Sequence, residues 1–295
     1  MSWVGDANRI VSAPMSAKPS RPVGFALGAV LLLAQASSQA QRTEAKAKPV
    51  RIVATDTGFD APRAVPPGLR HVVFQNRGKQ IHEAMLVKLS PGQNAAGFQA
   101  QVKDGVLFPK GALDYSGPGL TSAGETTELW LRLDPGDYVL ICWHHARTSV
   151  RAFAVQGTAV DDAAPAEDAV LQVQDFRFEL RGRLKEGTQV IKVQSLGPSM
   201  HEADLFRLHL GRTAADVARW YKDDLADPAP ADILGGVLDS HDITRVVWLR
   251  RRFTPGRYVF HCALPTNLNA KSGEPSTTHA DLGMVMTFEI GESRR

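Results

Sequence analysis

Two sets of histidine and cysteine residues stand out in this chain, because they place soft and borderline donors at matching points about 120 residues apart. The second set is His201, Cys262, His279 and Met284. The first is His82, Cys142 and His145, with Val150 where the methionine would fall. A thiolate, two imidazoles and a weak thioether are the donors that hold copper in a roughly trigonal site able to exchange one electron. The chain has only two Cys, and both close matching segments: LRLDPGDYVLIC ends at Cys142 and RRFTPGRYVFHC ends at Cys262. An even count in an oxidising compartment also allows a Cys142 to Cys262 disulfide, which would need two equivalent strand ends within bonding reach.

Spacing separates the two sets. Two residues lie between Cys142 and His145, whereas sixteen, from Ala263 to Thr278, lie between Cys262 and His279, so that loop must fold back as a hairpin to bring His279 home. Glu83 and Glu202 follow the first histidine of each set. Strand alternation puts them on the outward side, and the other reading makes them hydrogen-bond partners that support the ligands. Met85 is either a substitute thioether for the first set or a core residue of its strand, which the pattern favours. His144 competes with His145 as a ligand, and spacing favours His145. His261, beside Cys262, is where a two-domain copper enzyme would wire one copper to a second, but the His-x-His pairs such a centre uses do not occur. No nucleophile elbow, phosphate loop or zinc-protease helix motif is present either.

The elements that must position these residues are written twice. VPPGLRHVVFQNRGKQIHEAMLVKL, from Val65 to Leu89, aligns with LKEGTQVIKVQSLGPSMHEADLFRL, from Leu184 to Leu208, placing Gly68 on Gly187, Gly78 on Gly197 and His82 on His201. A repeat of this length reads as a duplicated domain. A length of 295 residues at 43% hydrophobic content suits two cores of ordinary size. Short apolar or alternating runs, separated by Gly, Pro, Asn and Asp, predict strands at Val72–Phe74, Met85–Val87, Leu129–Leu131, Tyr138–Leu140 and Val150–Val155. The second half repeats them at Val190–Val193, Leu205–Phe206, Val246–Trp248, Tyr258–Phe260 and Val285–Ile290. One helix is expected in each half, at Ala95–Lys103 and Ala214–Leu225. The expected fold is all-β: two Greek-key β-sandwiches in tandem, each with a short helical insertion, over 49–157 and 169–291, joined by an Ala-, Asp- and Pro-rich linker at 158–168.

Arg21 followed by VGFALGAVLLLA and then Ser38-Gln39-Ala40 fits a secretory signal of residues 1–40, cleaved to leave Gln41 first. The apolar stretch is too short for a spanning helix, so the expectation is a periplasmic or secreted chain with no membrane span after cleavage. Loss of those residues takes the formal net charge from +3 to about +1, which argues against nucleic acid as a partner. Arg250-Arg251-Arg252 reads as a solvated strand edge.

Both halves resemble cupredoxin domains, the blue-copper fold of plastocyanin and azurin, and more narrowly secreted bacterial cupredoxin-like proteins. The resemblance rests on NRGKQIHEAML and SLGPSMHEADL, on PGDYVLIC and PGRYVFHC, and on THADLGMVMTFEI. It implies an eight-stranded Greek-key sandwich per half. It implies copper as cofactor in up to two type 1 sites, with His82 and His201 as upstream ligands, Cys142 and Cys262 as thiolates, and His145 and His279 as the second imidazoles. An axial Met carries over to Met284 only, so the second site is the more complete and a first site would hold copper at a raised potential. The implied role is transfer of single electrons between redox partners rather than catalysis. A metal-free binding module or copper-delivery protein is the alternative, with a two-domain copper reductase behind it. An oligomer, which could gather histidines from different subunits, stays compatible with the sequence.

Overall fold

A computed structural model of the chain describes residues 48–106, 108–145, 150–238, 245–268 and 276–292, except the side chains of Asp114, Tyr115 and His145. In chain order the strands are β1 (Val50–Thr55), β2 (Gly58–Asp60), β3 (Ala64–Val65), β4 (Gly68–Asn76), β5 (Met85–Leu89), β6 (Ala112–Pro118), β7 (Thr126–Leu133), β8 (Gly136–Ile141), β9 (Val150–Val155), β10 (Ala169–Gln174), β11 (Arg177–Gly182), β12 (Gly187–Ser195), β13 (Glu202–Leu208), β14 (Ala231–Leu238), β15 (Val246–Phe253), β16 (Gly256–His261) and β17 (Val285–Ile290). Helix α1 (Ala95–Lys103) lies between β5 and β6, and α2 (Ala214–Lys222) between β13 and β14.

Period-two alternation makes β1, β4 and β10 one-sided. In β4 every second residue is buried, so Val72 and Phe74 face inward while His71 and Val73 face out. One sheet runs β11-β10-β12-β15-β7-β4-β1-β2, and the other runs β17-β16-β13-β14-β6-β5-β8-β9-β3. The core between them joins Ile52, Phe74 and Leu131 of the first sheet to Val87, Val139 and Phe153 of the second, and continues into Leu171, Ile191, Leu205 and Phe260. The architecture is all-β, as expected from the sequence.

Pairings recur at matching positions. β1 runs parallel to β4 with Val50 opposite Val72, and β10 runs parallel to β12 with Ala169 opposite Ile191. Met85 faces Ile141 across β5 and β8, and Asp204 faces His261 across β13 and β16. Val150 faces Ile141 across β8 and β9, whereas Val285 faces His261 across β16 and β17. Register therefore matches Val150 to Val285, which corrects the expectation that Val150 stands in for Met284. The residue in that place is Ser149, which lies outside the described residues.

The two halves meet edge to edge in both sheets. β7 and β15 pair with Trp130 opposite Trp248, while β6 and β14 pair with Pro118 opposite Val237. Thr121 forms bridges to both His82 and Leu234, and the Leu120 N–H donates to Asp204 Oδ1 at 3.1 Å. The chain is tightly packed here: a Cβ on Gly119 would run into the Asp204 carboxylate of the other half and lie 3.3 Å from the Gly236 backbone. The triple arginine is not an edge, because β15 lies inside its sheet. Arg250 covers the Trp130 ring at 4.7 Å and pairs with Glu128 at 3.3 Å, and Arg251 pairs with Glu125 at 2.6 Å, so these charges fasten one half to the other.

Residues 158–168, expected as a linker, are docked rather than loose. Val160 N–H donates to Pro67 O at 2.8 Å, Asp162 N–H donates to Leu69 O at 2.7 Å, and Asp162 forms a buried ion pair with Arg70 at 3.2 Å. Helix α2 stops at Lys222 rather than Leu225. Asp224 and Leu225 turn into the left-handed region at φ 54° and 59°, and Leu225 N–H closes back on Trp220 O at 2.9 Å. Among the described residues no helix is long and apolar enough to cross a membrane, and the expected signal segment 1–40 lies outside them. Replacing Gly119 by Ala should displace the Asp204 carboxylate and crowd the Gly236 backbone, at a cost of about 1–3 kcal/mol. An unchanged urea midpoint for that variant would contradict the role given to the close approach.

Candidate metal centre

Three segments distant in sequence converge in the second half. His201 is the residue before β13, Cys262 the residue after β16, and His279 opens the single 3-10 turn Ala280–Leu282 that precedes β17. His201 Nδ1 lies 3.1 Å from His279 Nδ1, and Cys262 Sγ lies 3.4 Å from His279 Nδ1. One donor atom from each of the three falls within 4.8 Å of the others, and among the described residues no other group of three His, Cys or acidic side chains converges in this way. On a late first-row ion with imidazoles at about 2.0–2.1 Å and a thiolate at about 2.3 Å, angles of about 100–120° put N and N about 3.1–3.6 Å apart, and N and S about 3.3–3.8 Å. The His201–His279 and Cys262–His279 separations fall in these ranges. Met284, fully buried, follows on the same loop, its carbonyl accepting from Cys262 N–H at 3.2 Å and its N–H donating to His279 O at 3.0 Å.

The surroundings orient each donor. His201 Nε2–H donates to Asp175 Oδ1 at 2.8 Å, which leaves Nδ1 as a bare lone pair facing the site. Asp175 stands at the two-residue turn joining β10 to β11, and Phe176 beside it roofs both rings, 4.8 Å from His279 and 6.3 Å from His201. Glu202 N–H donates to Cys262 Sγ at 3.4 Å, while Glu202 Oε1 accepts from Ala263 N–H at 2.6 Å. Glu202 is buried, so it corrects the expectation of an outward position: its carboxylate clips the turn that follows the thiol.

Burial governs the charge states. It lowers His201 against the pull of Asp175, and together with neighbouring His201 it brings His279 down to about 4. It raises the Cys262 thiol well above its ordinary value, with buried Glu202 adding to the effect. At neutral pH the three side chains are thus uncharged on their own, and a bound cation would reverse the thiol by taking it as thiolate.

The first half carries the same supports. His82 is buried and its Nε2 lies 3.2 Å from Asp56 Oδ1, the counterpart of Asp175. Buried Glu83 accepts from Trp143 N–H at 2.9 Å, matching the clip made by Glu202 and correcting the outward reading a second time. Cys142 is fully buried and not bridged to Cys262, so the disulfide reading is set aside. Trp143–His145 form one 3-10 turn, with His144 exposed and the His145 side chain outside the described residues. Met85 is a core residue: it is buried, and its sulfur accepts from Trp143 Nε1 at 3.2 Å.

Sequence reasoning missed Asp56, Asp175 and Phe176. The two aspartates left a signal, because each precedes its histidine by 26 residues. Phe176 left none, since the residue after Asp56 is Thr57.

No protein-family model matches the sequence, and no curated protein does. Solved structures similar to this chain include reduced auracyanin from Roseiflexus castenholzii, at 19% identity and a TM-score of 0.27, covering 38% of this chain and 98% of that one. Auracyanin A, described as a "blue" copper protein of Chloroflexus aurantiacus, matches at 21% identity and a TM-score of 0.25 over 37% of this chain and all of its own. A multicopper oxidase matches at 14% identity and a TM-score of 0.23 over 83% of this chain and 89% of its own. These likenesses are too slight to bear on function, which is left to the donor geometry.

Proposed function

We propose that the second half holds one copper ion on His201, Cys262 and His279, with Met284 as a weaker fourth donor, and that the protein carries single electrons between redox partners outside the cytoplasm. The supporting observation is the meeting of two imidazole nitrogens and one thiol sulfur in a buried site whose outer hydrogen bonds already stand in the liganding arrangement. Bound there, copper would supply a one-electron couple tuned by thiolate covalency and a weak axial donor. A structural zinc site takes four strong ligands, whereas this set offers three and a thioether.

The protein's own part is to hold the donors still and dry. Asp175 fixes the His201 tautomer, Glu202 fixes the chain after Cys262, and Phe176 closes the imidazole edges against water. Donors that do not move when charge changes lose little energy to reorganisation. The matching Asp56 and Glu83 contacts support a second copper on His82, Cys142 and His145 in a duplicated first domain, without a methionine. The secretory signal read in the sequence of residues 1–40 supports a periplasmic or extracellular role with redox proteins as partners.

Replacing Asp175 by Ala should weaken Cu(II) binding by about 10–100-fold in a competition titration, since the His201 tautomer is no longer set. Unaltered affinity would show that the aspartate does not orient the ligand. Protein-film voltammetry of the copper-loaded protein should show a reversible one-electron wave. Copper that enters but shows no reversible couple, and leaves readily as Cu(I) for a competing chelator, would make this a delivery protein and overturn the electron-carrier reading.

A further inference from the structure

The sixteen residues from Ala263 to Thr278 leave a question of position. In the first half two residues join Cys142 to His145, so the second imidazole is tethered by a short chain. A loop eight times longer has many more ways to close, and closure alone does not say where His279 sits. Part of the answer is local: His279 N–H donates to Leu264 O at 2.9 Å, and Ala280 N–H donates to Cys262 O at 3.0 Å.

The remainder comes from the last turn of α2, a helix otherwise uninvolved in the centre. Lys222 Nζ donates to Asp281 Oδ1 at 2.6 Å, and Asp281 Oδ2 accepts from both the N–H and the hydroxyl of Thr278 at 3.0 Å, closing a four-residue ring of chain around His279. One residue earlier, Tyr221 stacks flat on His261, with centroids 4.7 Å apart and planes 5° apart. His261 is the residue before Cys262. The Tyr221 hydroxyl donates to Asp204 Oδ2 at 2.7 Å, and Asp204 stands three residues after His201. Two consecutive helical residues therefore touch the segments that carry all three ligands.

The helix is built to bear this. A capping box between Thr213 and Asp216 fixes its start, and Val217 and Trp220 bury its inner face beside Phe206 and Val259. Helix α1 has the same length and also ends in lysine, but the residue in the place of Tyr221 is Val102, and the one in the place of His261 is Ile141. The ring stack is peculiar to the half with the long loop.

We propose that Tyr221 and Lys222 are positioning residues of the metal centre, replacing the short ligand loop as the device that sets His279 and Cys262 relative to His201. This rests on the copper reading above. The Lys222 and Asp281 side chains are 60% and 29% exposed, so their ion pair adds little to global stability, and its effect should be felt at the centre rather than in the fold.

The test compares copper-loaded wild-type protein with Lys222→Ala, Lys222→Arg and Tyr221→Phe. Lys222→Ala should keep the unfolding midpoint of the metal-free chain, shift the thiolate-to-copper band and the reduction potential, and speed copper release by about two- to fivefold. Lys222→Arg should restore all three. Tyr221→Phe keeps the stack on His261 and loses only the bond to Asp204, so it should shift the band without loss of copper. A wild-type band that Lys222→Ala leaves unmoved in position, potential and release rate overturns the proposal while the copper reading stands. Absence of a band in the wild type removes the copper reading and the proposal with it.

Discussion

A bare imidazole nitrogen 3.1 Å from another, beside a thiol, in an interior closed to water, is the constraint on which the second half turns. Apolar packing does not hold such a group, because it gives no reason for lone pairs to face one another and it penalises each polar atom left unpaired. Each donor is therefore fixed from behind: His201 by Asp175, Cys262 by the Glu202 backbone and side chain, and His279 by the loop bonds and by Asp281. The three carboxylates sit differently for this purpose. Asp175 and Asp281 stand where solvent reaches them, while Glu202 is sealed in and raised well above the carboxylate range by burial. The first two can hold charge against a histidine and a lysine, and the third, whose charge burial disfavours, clips the chain after Cys262.

The seam between the halves follows from similar needs. Sheets that merely abut leave edges with unpaired N–H and C=O groups, and here both pairs of edges are joined. The join is narrow in the sheet that carries the centre, with two register pairs between β6 and β14, and it is completed by side chains and single bridges. Asp204 takes part in both jobs. It accepts from the first half's Leu120 on one oxygen and from Tyr221 on the other. The first half's backbone and the helix that steadies the ligands thus share one buried carboxyl, which burial raises to about 7.

A strand with clean alternation, β4, and short apolar runs, such as β8 and β16, were legible in the sequence, as were both helices and the converging His201, Cys262 and His279. Seven strands went unread: β1, β2, β3, β10 and β11, and the two that make the seam in the second sheet, β6 and β14. β6 contains Gly117 and Pro118, and β14 contains Gly235 and Gly236, residues that read locally as turns. They are strands because β5 and β13 pair along them, with Gly117 set against the Ala84 carbonyl and Gly236 against the Ala203 carbonyl closer than a side chain allows, and that information is not local. The arginines of β15 misled for a related reason: their counter-charges, Glu125 and Glu128, come from the opposite half. Glu83 and Glu202 look outward by alternation, yet both are drawn in because the chain after each cysteine offers an N–H with no strand partner. The long loop hid the role of α2, since nothing in the spacing of Tyr221 and Lys222 links them to a histidine more than fifty residues on.

The central claim is that Cys262, with His201 and His279, binds copper as a thiolate. It is tested most directly by the visible absorption spectrum of the chain from Gln41 onward, reduced and then loaded with Cu(II), beside Cys262→Ser and Cys142→Ser variants. An intense thiolate-to-copper band that Cys262→Ser diminishes or abolishes is the expected result, and what Cys142→Ser removes in addition measures the first half's share. No band in the wild-type protein, or a band that Cys262→Ser leaves intact, would contradict the account.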